Sequence, residues 1–430
     1  MYILALLILA GILLRNATVI SLTVPLMLFF ILSYLSLPAK REGIYESGAR
    51  ITRTISSDRV AEGDEVDITI EIEFAPELLD SMKLASLELE DSIPEFSELT
   101  EGSNLHILSL SQIEKATDGK ATIRYSLRFS QRGIYEIGPL KIRIFDPFST
   151  SVDHLEADES DTVTVMPEVE MIKNIRLNIR RTRSIVGDIN SRKRGIGTEF
   201  YGIRNYYHGD ELRHINWKAS ARLEDALLTN EYTAERSGDV TILIDARESS
   251  ILGPPGKSTI DYGIRAAATI SMNVLNQKNR VGMIVFRDTI DVVQPGYGKR
   301  QFYRLMSSLL LIKHGGKMPL KVAAWAIGRF FPVRSHIIVI SAANDSSIVS
   351  TVAELCSHGY DVLVISPSYV MIEAENIEDS PEKKAAIAIE MMKRNGYLDE
   401  LRSFTEVIDW DVRKPLATYW RASRRGTRRR

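Results

Sequence analysis

An apolar stretch opens the chain and limits what can follow it. Met1–Leu37 carries one charged side chain, Arg15. Tyr2–Leu14 is a short apolar run, and Ala17–Leu37, at about 20 residues, is long enough to cross a hydrocarbon core. There is no basic start and no small-residue cleavage site ahead of a polar sequence, which argues against a cleaved secretory signal. The predicted arrangement is one transmembrane helix or a tight helical hairpin over residues 1–38. Lys40 and Arg41 follow the last span, so the positive-inside rule puts the remainder on the cytoplasmic side of the cell membrane. A single Cys, Cys356, excludes an intrachain disulfide framework and agrees with a reducing compartment. Its place in an apolar helical pattern marks it as a small hydrophobe rather than a reactive thiol.

Past the apolar stretch the rhythm changes to period two. Val66–Glu73 alternates apolar and polar residues, and Ala121–Phe129 and Leu140–Phe145 repeat the pattern. Half-buried antiparallel strands alternate in this way. Several of them within residues 45–167, punctuated by Gly63-Asp64 and Gly133, predict an immunoglobulin-like β-sandwich without its disulfide. Ala61–Gly102 holds 14 acidic residues against one basic, Lys83, and reads as a solvated acidic face. Residues 168–237 form a separate block. Within it, Lys173–Arg222 has 12 Lys and Arg against four acids, with Phe200, Tyr201, Tyr206, Tyr207 and Trp217 interleaved. Cations beside rings can serve nucleic acid, but they serve docking equally well. A net charge of -2 argues against a nucleic-acid coat.

From residue 238 to 415 strands alternate with helices. Val240–Ile244, Val281–Phe286, His336–Ile340, Val362–Ile365 and Val407–Trp410 are short apolar runs. Ser258–Asn276, Gln301–Ile312, Ser347–Ser357 and Glu382–Phe404 read as helices between them. This predicts a mainly parallel sheet covered on both faces, with any ligand at the carboxyl ends of its strands. Gly253–Thr259 imitates a phosphate-binding loop out of register: Ile251 stands where the first glycine is required, and Ser258 reads as a helix cap. His208 and His214 are too far apart for a metal pair on one helix face. Residues 416–430 are a basic tail, with six Arg in Arg421–Arg430.

Asp245 ends the first strand of this sheet. The sequence Asp245-Ala246-Arg247-Glu248-Ser249 resembles the D-x-S-x-S start of the metal site in a von Willebrand factor A domain, with Arg247 in place of the first serine. A second carboxylate, Asp345, lies three positions later than such domains place it. The resemblance implies Asp245, Ser249 and Asp345 as magnesium ligands, but Arg247 puts positive charge where the cation would sit. The expectation is a degenerate site with no cofactor bound.

The block Gly197–Phe200, Arg204-Asn205-Tyr206, Gly209-Asp210, Arg213–Lys218 and Ser220-Ala221-Arg222, continued by Glu231-Tyr232 and Glu235, closely resembles the signature of the domain-of-unknown-function-58 family. Arg132–Pro139, Asp146-Pro147-Phe148 and Val407–Asp411 extend the likeness. It implies a membrane-anchored protein with a sandwich and a von Willebrand factor A-like domain, associated with MoxR-type AAA+ ATPases and with no assigned reaction. The expected role is a non-enzymatic adaptor for partner proteins. The alternative is an envelope-associated enzyme or a peptide-binding protein using Arg204–Arg222. In the first reading Glu199, Phe200, Arg204, Tyr206, Gly209, Asp210, Arg213, Trp217, Ser220, Arg222 and Glu235 form a structural keystone. Arg204, Arg213 and Arg222 pair with Glu199, Asp210 and Glu235, and Phe200 and Trp217 fill the domain junction.

Overall fold

The computed structural model describes residues 9–10, 12–13, 17–36, 49–74, 86–109, 120–145, 152–157, 160–172, 189–208, 210–222, 226–236, 239–312, 315–331, 335–375 and 380–420. The chain divides into two compact units, Met1–Met166 and Pro167–Arg430. The signature block therefore clusters with the α/β region that follows it.

The first unit opens with helix α1, Ala17–Ser36, 20 residues with Pro25 inside. Among the described residues no helix is long and apolar enough to cross a membrane. The side chains of Ile20, Phe30 and residues 32–36 of α1 lie outside the described residues. Most of Tyr2–Leu14, together with Lys40 and Arg41, lies outside the described residues altogether.

Eleven strands follow: β1 (Ala49–Ile55), β2 (Arg59–Ala61), β3 (Glu65–Phe74), β4 (Ser86–Asp91), β5 (Ser97–Gly102), β6 (Leu105–Ser109), β7 (Lys120–Phe129), β8 (Gly133–Ile137), β9 (Leu140–Phe145), β10 (Val152–Ala157) and β11 (Asp161–Met166). They build sheets of order β1-β3-β7-β5, β10-β9-β4-β6 and β2-β11-β8. Alternation places Val66, Ile68, Ile70 and Ile72 of β3 in one core with Leu87 and Leu89 of β4, Ile123 and Leu127 of β7 and Ile142 and Ile144 of β9. A buried ion pair sits in that core. Asp91 of β4 is fully buried. Its carboxylate accepts Arg53 Nη2 of β1 at 2.7 Å and the Tyr125 hydroxyl of β7 at 2.5 Å. Burial first, and the Asp91 charge second, push the Tyr125 hydroxyl pKa up. This trio ties the sheet containing β4 to the sheet containing β1 and β7.

The second unit begins with an antiparallel ribbon of β12 (Ile189–Asn205) and β13 (Leu228–Arg236), with register shifts along it. A six-stranded sheet follows, of order β16-β15-β14-β17-β18-β19. Its strands are β14 (Asp239–Asp245), β15 (Arg280–Phe286), β16 (Ile290–Gly296), β17 (His336–Ile340), β18 (Asp361–Pro367) and β19 (Glu406–Trp410). All pairings are parallel except β15 with β16. The chain starts at β14 and builds outward in both directions, so the order reverses between β14 and β17.

Helices α2 (Thr259–Asn276), α3 (Gly298–Leu310), α4 (Lys321–Phe330), α5 (Ser346–Ser357), α6 (Tyr369–Glu375) and α7 (Pro381–Phe404) cover the sheet. Ser258 caps α2 in a capping box with Asp261, as the sequence predicts. Strand β16 and helices α4 and α6 are additional to the sequence reading. An extended segment is pinned to α2 as well. Glu170 N donates to Thr269 Oγ1 at 3.0 Å, and Asn273 bonds both Glu170 O and Ile172 N. Cys356 is half-buried at the rim of an apolar cluster, and burial raises its pKa.

Replacing Asp91 with Ala removes the short partner of Arg53 in the β-rich core and leaves it the longer contact with Asp161 at 3.4 Å. The expected loss is about 3–5 kcal/mol of unfolding free energy, the range for a broken buried ion pair. Chemical denaturation of Asp91→Ala checks this; a loss below about 1 kcal/mol, the value of an exposed pair, would show that the trio does not hold the sheets together.

Candidate functional site

Asp245 stands at the carboxyl end of β14, at the switch point where such sheets place ligands. Its side chain is wholly buried. A carboxylate there must be neutralised or matched. Arg247, two residues on, does so bidentately, with Nε to Oδ1 at 2.8 Å and Nη2 to Oδ2 at 2.9 Å. Ser250 Oγ and Ser341 Oγ add bonds to Oδ2 at 2.6 and 2.9 Å. The same guanidinium reaches Asp345 Oδ2 at 3.4 Å and Ser347 Oγ at 3.1 Å. Burial works against the Arg247 charge, but Asp245 and then Asp345 outweigh it and raise its pKa.

The sequence-predicted ligands are thus partly assembled. Asp345 reaches the cluster despite its three-position displacement, by way of a turn in which Ala343 takes a left-handed backbone, φ 52°. It also caps α5, accepting Ser347 N at 2.8 Å. Ser249 is a correction: it is exposed, and Ser250 is the serine that turns in. The reason is a one-turn 3-10 helix over Glu248–Ser250, which offsets the inward position by one residue. The residues present do not fit a divalent cation. Both Asp245 oxygens are spent on Arg247 and two hydroxyls, and the guanidinium stands where hard oxygen donors would converge. Among the described residues no group of three or more His, Cys, Asp or Glu side chains could hold a metal ion.

The signature block lies at the end of the β12–β13 ribbon. Residues 206–227 join the two strands and are braced internally. Arg204 clasps Asp210 bidentately at 2.6 and 2.7 Å and bonds Glu231 at 3.0 Å. Asp210 also accepts Tyr207 N at 2.9 Å. The Arg204 guanidinium first, and that amide second, hold the Asp210 carboxyl down to about 2. Asn216 caps the one-turn helix Trp217–Ser220 and bonds Asn230 at 2.8 Å. The buried Ser220 hydroxyl accepts Leu228 N at 2.8 Å, and Thr229 Oγ1 donates to His214 O.

Of the expected keystone pairs, Arg204 with Asp210 is present. Arg213 instead meets Glu211 on the surface, and Arg222 is exposed. Trp217 is 65% exposed, not buried. Its one-turn helix presents the ring outward while Ser220 faces in. Tyr207 and Leu212 are exposed to a similar degree, at 68% and 69%. Tyr206 is half-buried. Gly209 and the side chains of Glu199, Phe200 and Glu235 lie outside the described residues, as does Arg421–Arg430.

Two outcomes are expected. Millimolar magnesium should leave the melting temperature of the native chain unchanged and raise it in Arg247→Ser, where mass action stabilises a metal-bound fold. A magnesium-dependent rise in the native chain, lost in Asp245→Ala, would overturn the guanidinium assignment. For the loop, the folded Asp210 carboxyl titrates near 2 against an ordinary 3.8, so its stabilising contribution is present above about 4 and lost as pH falls toward 2. Loop amide exchange should therefore accelerate over that window in the native chain and be fast at all pH in Asp210→Asn.

Residues 202–368 match the family described as protein of unknown function DUF58. No curated protein matches the chain. Among solved structures, a von Willebrand factor type A protein from Catenulispora acidiphila is 12% identical, covers 46% of this chain and 43% of its own, and has a TM-score of 0.25. The sporulation control protein Spo0M from Bacillus subtilis is 11% identical over 28% of this chain and 49% of its own, with a TM-score of 0.14. A complex of zinc 2-glycoprotein and prolactin inducible protein from human seminal plasma gives 12% identity, 29% of this chain, 99% of that one and a TM-score of 0.19. The chain spans less than half of the first two. The braced loop and the Asp245–Arg247 cluster both fall within residues 202–368, the segment, less than half of the chain, that is similar to the DUF58 family of proteins of unknown function.

Proposed function

We propose that the chain is a membrane-anchored, non-enzymatic adaptor. In this reading the amino-terminal apolar stretch Met1–Leu37 anchors the chain to the cell membrane, the immunoglobulin-like sandwich and the von Willebrand factor A-like domain lie on the cytoplasmic side, and the partner is a MoxR-type AAA+ ATPase. One observation carries the proposal: a loop held rigid by Arg204, Asp210, Asn216 and Ser220 presents Tyr207, Leu212 and Trp217 to solvent. Exposed Trp and Tyr on a preorganised surface are the residues that dominate protein interfaces, because little entropy is lost on docking. A hairpin connection of this length, internally bonded, suits a binding loop. The guanidinium in the Asp245 site supports the same view, since it makes the switch point part of the scaffold. An enzyme built on Asp210, Arg213 and His214 would gather them into a cleft. Instead Arg213 is 70% exposed at its side chain and turns to Glu211.

The test is capture from native membranes under nucleotide-trapping conditions. An AAA+ ATPase should co-purify with the native chain and be reduced at least about 30-fold with Trp217→Ala, as expected for a hot-spot residue worth about 2 kcal/mol. The melting temperature of that variant should not change. Undiminished capture by Trp217→Ala, or no ATPase at all, would sink the proposal.

A further inference from the structure

Helix α3 carries a surface that the adaptor reading leaves unused. Val292–Ile312 contains three cations, Lys299, Arg300 and Arg304, and no acid. The inner face of α3 is Gln301, Leu305, Met306 and Leu309, all buried. The outer face holds Lys299, Arg300, Tyr303, Arg304 and Leu311, all exposed. Arg300, Tyr303, Arg304 and Leu311 follow the three- and four-residue spacing of one helical stripe, about 17 Å long. The apolar members are strongly exposed, Tyr303 at 58% and Leu311 at 62%.

Two of the cations are badly placed for the helix itself. Lys299 and Arg300 stand in the first turn, where the helix dipole disfavours positive charge. The residue at the cap, Tyr297, makes no side-chain bond to the free amides there. Local stability therefore gives no reason for this arrangement, whereas an external anionic surface does. Arg280 lies over the Tyr297 ring at 5.6 Å, which steadies the aromatic at the head of the stripe.

We propose that this face of α3 docks on the anionic headgroups of the membrane, with Lys299, Arg300 and Arg304 on lipid phosphates and Tyr303 and Leu311 at the headgroup boundary. This rests on the membrane-anchored reading above. The cations supply attraction that falls off within a Debye length, so it acts only on a surface the chain is already beside. Aromatic and aliphatic side chains between cations are the composition of helices that lie in the interface.

The full chain is tested with Ser307→Cys, on the same exposed stripe, carrying an environment-sensitive fluorophore in a Cys356→Ala background. It is reconstituted into vesicles of phosphatidylcholine alone and of equal parts phosphatidylcholine and phosphatidylglycerol. Access of an aqueous quencher should fall about tenfold in the anionic vesicles only, recover at raised salt, and stay high in Lys299→Glu/Arg300→Glu/Arg304→Glu. The neutral Arg300→Gln should lie between. Equal quenching in both vesicles, or protection that survives the triple variant, overturns the proposal. Protection by single-stranded DNA but not by anionic vesicles overturns it in favour of nucleic acid. Flotation after alkaline carbonate reports the anchor separately: a chain that fails to float refutes the membrane-anchored reading, and co-sedimentation with added anionic vesicles then still decides whether α3 docks.

Discussion

A carboxylate buried at the end of the central strand is the constraint around which the α/β unit is arranged. Asp245 cannot stay ionised at the switch point of a covered sheet without a positive partner, because desolvation would far exceed any gain from packing. A bound cation meets that need in one way and a guanidinium in another. Choosing Arg247 has consequences along the chain. The guanidinium must fold back over two residues, so the backbone enters a 3-10 turn at once and Ser250 faces inward. The spare donors of the guanidinium need acceptors, so Asp345 and Ser347 at the head of α5 are drawn in. The start of a helix about a hundred residues later is thus set by one charge on β14.

The same chemistry recurs with different weight at different depths. Arg53 and Asp91 are almost wholly buried, and the pair joins two sheets. Arg394 is completely buried between α7 and the ends of β18 and β19, bonding Ser366 at 2.8 Å and Asp409 at 2.6 Å. Arg204 and Asp210 are part-exposed, and solvent screens them. Their contribution is geometric: the planar fork of Arg204 admits one arrangement of the loop and excludes the neighbours of that arrangement.

Much of this was legible in the sequence, and the remainder has physical reasons. Period two located β3, β7 and β9 within a residue of their ends, because one face of each is buried and a slip would invert it. The parallel strands were legible as short apolar runs. Strand β16 was not, since Ile290–Gly296 is half-exposed at a sheet edge and contains Pro295. Asp245 is legible because it closes an apolar strand and opens a stretch that resembles the D-x-S-x-S motif. The motif points to Ser249 because it counts residues, and the 3-10 turn over Glu248–Ser250 shifts the inward position to Ser250. Asp345 looked too distant because linear spacing does not contain the left-handed turn at Ala343. Trp217 was assigned to the interior because Arg and aromatics interleaved give the same composition whether a surface is packed or presented. Only the caps decide, and Asn216 and Ser220 turn inward while Trp217 turns out.

That last contrast bears on where function resides in such a chain. A switch-point site that depends on a metal changes state with the metal, and a partner that reads the site reads that state. A site closed by its own guanidinium has one state, with its loops fixed whenever the domain is folded. In the proposed adaptor reading, recognition then falls to surface that remains free to change its surroundings. The signature loop meets that requirement: its backbone is bonded into the ribbon through Asn216, Ser220 and Thr229, while its largest apolar side chains stay mostly exposed. Keeping Tyr207, Leu212 and Trp217 exposed sacrifices burial worth roughly 1.5–3 kcal/mol for each side chain. In the proposed adaptor reading, the bracing of this 22-residue connection by Arg204 and Asp210 is what would hold these side chains out for a partner.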